Sequence, residues 1–440
     1  MKTYESYKDS NIAWIGQIPS NWSICRVKHG FVRKKDKSFD KNPIVLSLAR
    51  DGVKIRDISS NEGQLAESYE GYNPVIPHDL LLNPMDLYSG ANCSISKVSG
   101  VISPAYINLR AKDNVSPIFF DYYFKVQYWT MAFFAHGKGI SFDNRWTLGN
   151  ETLNNYPIVM PTFKEQQEIA LFLDIKCAQI DSLISLQEKM IEELIAYKQA
   201  VIMETVTKGL NSNSPMKDSG IEWIGKIPEG WQTIKLNRIM GFIGGYAFNS
   251  NKYAKEQTHN QVIRIGNVKN NYLKLDASPI FIDDNVAIEA AKCKLNENCI
   301  LFTMTGTKGK RDYFYTLLLK KEHFKNKDLY LNQRVGCFVQ KSQNIDMRYY
   351  NYLLKDNHIL DSIFLYETGT ANQGNLGIET INRTILQFPP LVEQCAIANY
   401  LDTQTSQIDE LIALKHKKID QLVEYKKSVI YEYVTGKKRV

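Results

Sequence analysis

The chain has 440 residues, 23% of them charged and 44% hydrophobic, with a formal net charge of +7. Its length suggests about two to three domains of ordinary globular composition, and no stretch approaches the ~18 uncharged apolar residues of a membrane span. Seven scattered cysteines without a CxxC pair argue against a disulfide framework or a cysteine zinc site and fit reduced thiols in a cytoplasm, and Met1–Asn11 carries no signal-peptide core.

An opening motif, Lys8-Asp9-Ser10-Asn11-Ile12-Ala13-Trp14-Ile15-Gly16-Gln17-Ile18-Pro19-Ser20-Asn21-Trp22, reads as an apolar staple without catalytic chemistry. The globular segment Trp22–Met160 begins with a basic cluster (Arg26, Lys28, Arg33, Lys34, Lys35, Lys37, Lys41), which is a solvated face or a phosphate-contacting one. Strand-like runs follow at Pro43–Leu48, Val75–Leu82 and from Ser103, with Arg50-Asp51-Gly52 as a turn. The aromatic stretch Asp121–Phe134 predicts a buried helix, and Gly137-Lys138-Gly139-Ile140 a loop. Asn83-Pro84-Met85-Asp86 is similar to the Asn-Pro-Pro-aromatic loop of amino-methyltransferases. It lacks the second proline and the aromatic, and no glycine-rich adenosylmethionine loop precedes it, so it is not read as catalytic.

Phe163–Thr207 contains no internal Pro or Gly and predicts one continuous helix, roughly 65–70 Å long at ~1.5 Å per residue. Gly209–Pro215 reads as a helix stop and linker. The motif then returns as Lys217-Asp218-Ser219-Gly220-Ile221-Glu222-Trp223-Ile224-Gly225-Lys226-Ile227-Pro228-Glu229-Gly230-Trp231. In the second globular segment, Trp231–Phe388, Gly244–Asn249 reads as a turn and Val262–Val268 as a strand. Ile300–Gly306 reads as a strand running into a loop with Lys308, Lys310 and Arg311; Tyr349–Leu354 starts a helix, and Thr368–Asn375 is a polar loop. Gly306–Lys310 follows a strand, but its glycine spacing is wrong for a phosphate loop, and Arg311 stands where Ser or Thr would bind magnesium. A second uninterrupted helix is expected over Leu391–Thr435.

The two helices are one sequence written twice, with roughly half of about 47 aligned positions identical. Ile180, Leu183, Ile184, Ile191, Leu194, Val201 and Ile202 match Ile408, Leu411, Ile412, Ile419, Leu422, Val429 and Ile430. Their steps of three, four and seven make one apolar stripe, for which the other copy is the expected partner. The positive charge lies elsewhere: Ser23–Met160 carries an excess of roughly three and Gln232–Phe388 of roughly seven. The globular segments are thus suited to phosphates and the helices to protein. No HxH or HExxH spacing, nuclease carboxylate set or Gly-x-Ser-x-Gly elbow occurs, so the residues read as a binding protein without metal or cofactor of its own.

With the two Trp-Ile-Gly-x-Ile-Pro-x-x-Trp motifs (Trp14–Trp22, Trp223–Trp231) and the two Pro-x-x-x-Glu-Gln helix starts (Pro161–Gln166, Pro389–Gln394), each followed by Ile-Ala and Leu-Asp, the whole chain resembles the specificity subunit of Type I restriction–modification enzymes. Gly244–Phe248 with Ile263–Asn267, and Asp79–Met85 with Ser103–Tyr106, look like two classes of target-recognition domain. The resemblance implies a mixed α/β, non-catalytic, cytoplasmic subunit with an internal two-fold repeat. Its two target-recognition domains are separated by two long antiparallel helices that form a coiled coil. It implies domain 1 with its opening motif over 1–160, helix 1 over 161–210, domain 2 over 211–388 and helix 2 over 389–440. The implied partners are double-stranded DNA and two methyltransferase subunits, with two motor–endonuclease subunits in the restriction enzyme. S-adenosylmethionine, ATP and magnesium belong to those partners.

Each domain is expected to read half of a split, asymmetric site through base edges and phosphates. The expected DNA-binding residues are Arg50, Lys138 and Arg145 in the first domain and Lys308, Lys310, Arg311 and Gln373 in the second. Phe172 and Tyr400 lie off the shared stripe and are expected to face protein partners. Two other readings remain open on residues alone: a coiled-coil scaffold that binds no DNA, and a self-contained methyltransferase.

Overall fold

Two long helices, Phe163–Lys208 and Leu391–Val434, dominate the computed structural model, which describes residues 3–58, 66–85, 87, 92–140, 146–270, 272–370 and 372–440. The first is capped by Thr162, whose hydroxyl accepts the Glu165 amide at 3.3 Å. It ends at Gly209, whose φ of +77° is the left-handed conformation that stops a helix without a Cβ penalty. Gly436, at φ +74°, stops the second.

The chain divides into two compact units that are not consecutive in sequence: residues 1–189 with 415–440, and residues 190–414. Each unit therefore takes one part of each long helix. In unit 1, Ile169, Ala170, Leu173 and Cys177 share a core with Val434, Ile430 and Val429, and Lys426 Nζ meets Asp181 at 2.6 Å. In unit 2, Val206 shares a core with Ile397, Ala398 and Leu401, and Lys198 Nζ meets Asp409 at 2.6 Å. Rising numbers on one helix face falling numbers on the other, so the segments run antiparallel within each unit. The ion pairs are the same pair written twice, with donor and acceptor exchanged between the copies.

The frames of the units match strand for strand. Each opens with a hairpin, Tyr7–Asp9 on Gln17–Pro19 and Met216–Asp218 on Lys226–Pro228, in the same register (Tyr7↔Pro19, Met216↔Pro228). Trp22 and Trp231 follow and are fully buried, as the staple reading requires, but Trp223 is 39% exposed, so the first tryptophan of the second copy is no core residue. A two-stranded ladder then closes each globule: Ser23–Arg26 on Pro157–Met160, and Gln232–Lys235 on Ile385–Phe388.

Inside each frame lies a four-stranded antiparallel sheet of the same order. In unit 1 it runs Phe31–Lys34, Ile107–Ala111, Leu80–Leu82, Cys93–Ile95; in unit 2, Met240–Gly244, Val335–Gln340, Ile300–Thr303, Thr316–Leu318. The aromatic helix of unit 1 spans Pro117–Trp129, with a short turn of helix at Ala132–Ala135, and buries Phe119, Phe120, Tyr123 and Phe124. Unit 2 adds a three-stranded sheet in which Asn260–Ile263 pairs parallel to Asp328–Leu331. The expected strand over Val262–Val268 stops at Ile263. Asn267 folds the chain back, accepting the Arg264 amide at 2.9 Å and donating to the carbonyls of Lys274 and Ala277.

Candidate nucleic-acid interface

The repeated Pro-x-x-x-Glu-Gln sequence shows how each globule is fastened to its helix start. Gln166 and Gln394 are fully buried. Gln166 Oε1 accepts the Ser116 amide at 2.8 Å and its Nε2 donates to the Pro161 carbonyl at 2.9 Å. Gln394 Oε1 accepts the Asp346 amide at 2.9 Å and its Nε2 donates to the Pro389 carbonyl at 2.8 Å and the Asn344 carbonyl at 3.2 Å. Each glutamine thus satisfies the N-terminal backbone of a domain helix and of a long helix together. The preceding glutamates differ: Glu393 accepts from Trp231 Nε1 at 2.8 Å, whereas Glu165 accepts from the Tyr4 hydroxyl at 2.6 Å. A tyrosine on the first domain helix, Tyr122, donates to Asp174 at 2.7 Å, and Tyr352 donates to Asp402 at 2.8 Å. Burial, with the hydrogen bond to the aspartate, keeps both phenols protonated.

In unit 2 the structure joins two loops that lie about sixty residues apart in the chain. Thr305–Gly306, Gln373–Asn375 and Thr368–Thr370 form a small antiparallel sheet, with Gln373–Asn375 in the middle. The strand pairing joins the 306–311 loop to the 368–375 loop, and Lys308, Lys310 and Gln373 are all exposed there. Lys308 Nζ donates to the Gly369 carbonyl at 3.1 Å. Glu367 braces the surface from beneath: its Oε2 accepts the Gly309 amide at 3.0 Å and its Oε1 the Tyr313 hydroxyl at 2.7 Å. Asp312 accepts the Thr307 amide at 2.7 Å, and the hydrogen bonds from Thr307 hold its carboxyl below the usual range. Two loop amides that would cradle a phosphate are thus already taken by carboxylates, which leaves side chains as the loop's means of meeting an anion.

Arg311 does not share that surface in the way Lys310 does. Its guanidinium pairs with Asp361 and lies over the Phe364 ring, 5.9 Å from the centroid. In unit 1, Arg50 and Asp51 form the tip of the hairpin Leu46–Ala49/Gly52–Ile55, where Asp51 pairs with Lys54 and Arg50 is exposed. Lys138 is exposed on a different element, in an antiparallel bridge with Thr147. Arg145 lies outside the described residues, as does Asp86 of the Asn-Pro-Met-Asp stretch.

The two aromatics expected to face partners differ. Phe172 packs on Tyr433, ring centroids 4.4 Å apart, at the edge of the unit 1 core, so that ring is occupied inside the chain. Tyr400, its counterpart, is 40% exposed. The residue corresponding to Tyr433 in the other repeat is Thr205, too small to cover a ring. Other exposed apolar positions recur in both copies: Leu183 and Leu411, Leu186 and Leu414, Tyr197 and Tyr425.

Residues missed by the sequence reading are Glu367, Tyr313 and Asn375. A signal for the last was present: Thr368-Gly369-Thr370 and Gln373-Gly374-Asn375 are two polar-Gly-polar triplets at hairpin separation. Among the described residues no group of three or more His, Cys, Asp or Glu is placed to hold a metal, and no helix is long and apolar enough to cross a membrane.

Comparison with known proteins agrees with this architecture. The Type I restriction modification DNA specificity domain matches residues 228–424. The chain is 24% identical to the Type I restriction enzyme MjaVIII specificity subunit of Methanocaldococcus jannaschii, over 99% of this chain and 97% of that one. It is also 24% identical to the EcoBI specificity subunit of Escherichia coli, over 69% of this chain and 64% of that protein. The fold is that of a chain solved in work on assembly and conformational transition of the type I R-M system (TM-score 0.70, 13% identity, 95% of this chain and 98% of that one). It is also similar to the HsdS subunit from Thermoanaerobacter tengcongensis (TM-score 0.51, 12% identity, 95% and 98%). Matching frames, matching helix clamps and these likenesses agree: over its full length the chain is similar to Type I restriction–modification specificity subunits.

Proposed function

We propose that this chain is the DNA-reading, non-catalytic subunit of a Type I restriction–modification enzyme, and that its two domains read different halves of a split site. The observation that carries this reading is unit 2, where exposed Lys308, Lys310 and Gln373 lie on two loops joined by one small sheet, mounted in a frame that recurs in unit 1. Common frames and like four-stranded sheets that carry different additional strands suit two readers of different sequences. Lys308 and Lys310 contribute to phosphates, and Gln373 to base edges; Arg50 and Lys138 take part in unit 1. Arg311 contributes to the surface through its pair with Asp361 rather than through phosphate.

Two methyltransferase subunits, joined in the restriction form by two motor–endonuclease subunits, dock on the long helices. The exposed apolar positions that recur in both copies, with Tyr400, support that surface. Methyl transfer, ATP use and cleavage belong to those partners.

A gel shift with random-sequence duplex tests the DNA-binding part. A protein that neutralises six or more phosphates loses about 10³-fold in affinity between 50 and 200 mM salt. Absence of binding at low salt would favour the scaffold reading. Incubation of the purified chain with DNA and labelled S-adenosylmethionine should give no transfer.

A further inference from the structure

The hairpin of unit 2 has two unlike faces. Its pairs are Thr368↔Asn375, Gly369↔Gly374 and Thr370↔Gln373, and the edge strand adds Thr305↔Asn375 and Gly306↔Gly374. Three glycines, Gly306, Gly374 and Gly369, therefore make one row across the sheet. A Cβ on Gly306 or Gly374 would collide with Tyr313, and on Gly374 also with Glu367, so that face is closed against the domain at those two positions, while Gly369 is exposed. Successive residues of a strand point to opposite faces. Thr368, Thr370, Gln373 and Asn375 therefore point outward together, and all four are exposed.

The outward face is chemically uniform: two amides and two threonines, with no charge of its own. The Thr368 hydroxyl donates to the Asn375 carbonyl at 3.2 Å, which leaves its methyl as the outer tip. Among the described residues, the Gln373 and Asn375 side chains make no hydrogen bond. Two strands ~4.8 Å apart fit a major groove ~12 Å wide. An amide presents one donor and one acceptor, which matches adenine N7 and N6 and mismatches guanine, whose two acceptors call for Arg or Lys. Threonine methyls suit the thymine methyl. Lys308, whose ammonium donates to the Gly369 carbonyl of the hairpin, and the nearby exposed Lys310 supply the positive charge for the groove's phosphates.

We propose that this hairpin enters the major groove, that Gln373 and Asn375 read adenine there, and that the half-site read by unit 2 is accordingly rich in A·T pairs. The proposal rests on the DNA-reading function above and names the reading element within it. Glu367 is a positioning residue: it holds the 306–311 loop and Tyr313 beneath the glycine row and touches no base.

The test is selection of duplexes from a random-sequence library by the full-length chain, wild type against Gln373→Ala/Asn375→Ala and Gln373→Arg, with thermal melting as the folding check. The wild type should enrich a bipartite sequence with adenines in one half. The double alanine variant should lose about 5- to 150-fold of discrimination at each affected position and keep the other half unchanged. Gln373→Arg should replace an adenine by a guanine. If both variants fold and select both halves as the wild type does, the hairpin is not the reader, although DNA reading stands. Should the wild type select no sequence at all, DNA reading itself fails, and the assignment with it.

Discussion

Removing the amide of Gln394 strips hydrogen bonds from several backbone groups at once. The Asp346 N–H and the Pro389 C=O lose their partner, while the Asn344 C=O belongs to an exposed residue and can turn to water. An orphaned buried backbone group costs about 1–3 kcal/mol, and water entering the space left by the side chain lowers that, so Gln394→Ala should destabilise unit 2 by roughly 2–4 kcal/mol. For a unit of this size each kcal/mol shifts the melting temperature by about 2–4 °C, which gives roughly 5–15 °C. Gln166→Ala should act on unit 1 to the same extent, since it also leaves two backbone groups, at Ser116 and Pro161, without partners. Gln394→Glu separates lost hydrogen bonds from lost volume. Protonated, its carboxyl can still accept from Asp346 and donate to Pro389; ionised, it cannot donate and carries a buried charge. Burial raises its folded pKa above the unfolded ~4.3, so the unfolded state releases its proton first and stability falls as pH rises above that value. The variant should therefore lie nearer to wild type at pH 5 than at pH 8 in melting followed by circular dichroism. A shift under about 2 °C for Gln394→Ala, or no change with pH in the gap between Gln394→Glu and wild type, would refute the clamp.

Burial, with help from the neighbouring Lys198, pushes the Lys355 ammonium down to about 8. Between about pH 8 and the unfolded value near 10.4 the unfolded chain binds more protons, so this residue makes stability rise with pH in that window. Lys355→Met should lose this rise on titration from pH 8 to pH 10 in melting followed by circular dichroism, and it also gives up the contact of the ammonium with the Tyr352 ring. Asp181→Lys should weaken helix pairing in unit 1 by only about 0.2–1 kcal/mol because the carboxylate is more than half exposed, and Asp181→Lys/Lys426→Asp should restore the melting temperature. Lys310→Glu should lower DNA affinity evenly across sequences and reduce the salt slope by about one or more, whereas Arg311→Glu should act mainly through stability, since it sets two carboxylates together at Asp361. Tyr400→Glu should leave DNA binding intact and abolish co-purification with a methyltransferase subunit, while Phe172→Glu should destabilise unit 1 through the lost packing on Tyr433.

The duplication, the two long helices, the buried tryptophans and the position of the positive charge are local properties, and residue order alone discloses them. A helix needs only a 3.6-residue period and freedom from Pro and Gly, and the segments 163–208 and 391–434 have both. What lay beyond the sequence depends on pairing between distant residues. The period of the apolar stripe could not say that Leu183 and Leu411 stay exposed while Ile180 and Ile408 are buried, because that follows from which helix segment each globule adopts. Nor could it show that Phe172 turns to Tyr433, a neighbour supplied by the far end of the chain. The proposed reading surface is the clearest case. Thr305–Gly306 and Gln373–Asn375 carry no mark of each other in sequence, and a shift of one residue in their register would turn the glycines outward and the amides into the domain. Only packing against Tyr313 and Glu367, with no room for a Cβ at Gly306 or Gly374, decides which face of the hairpin is left exposed.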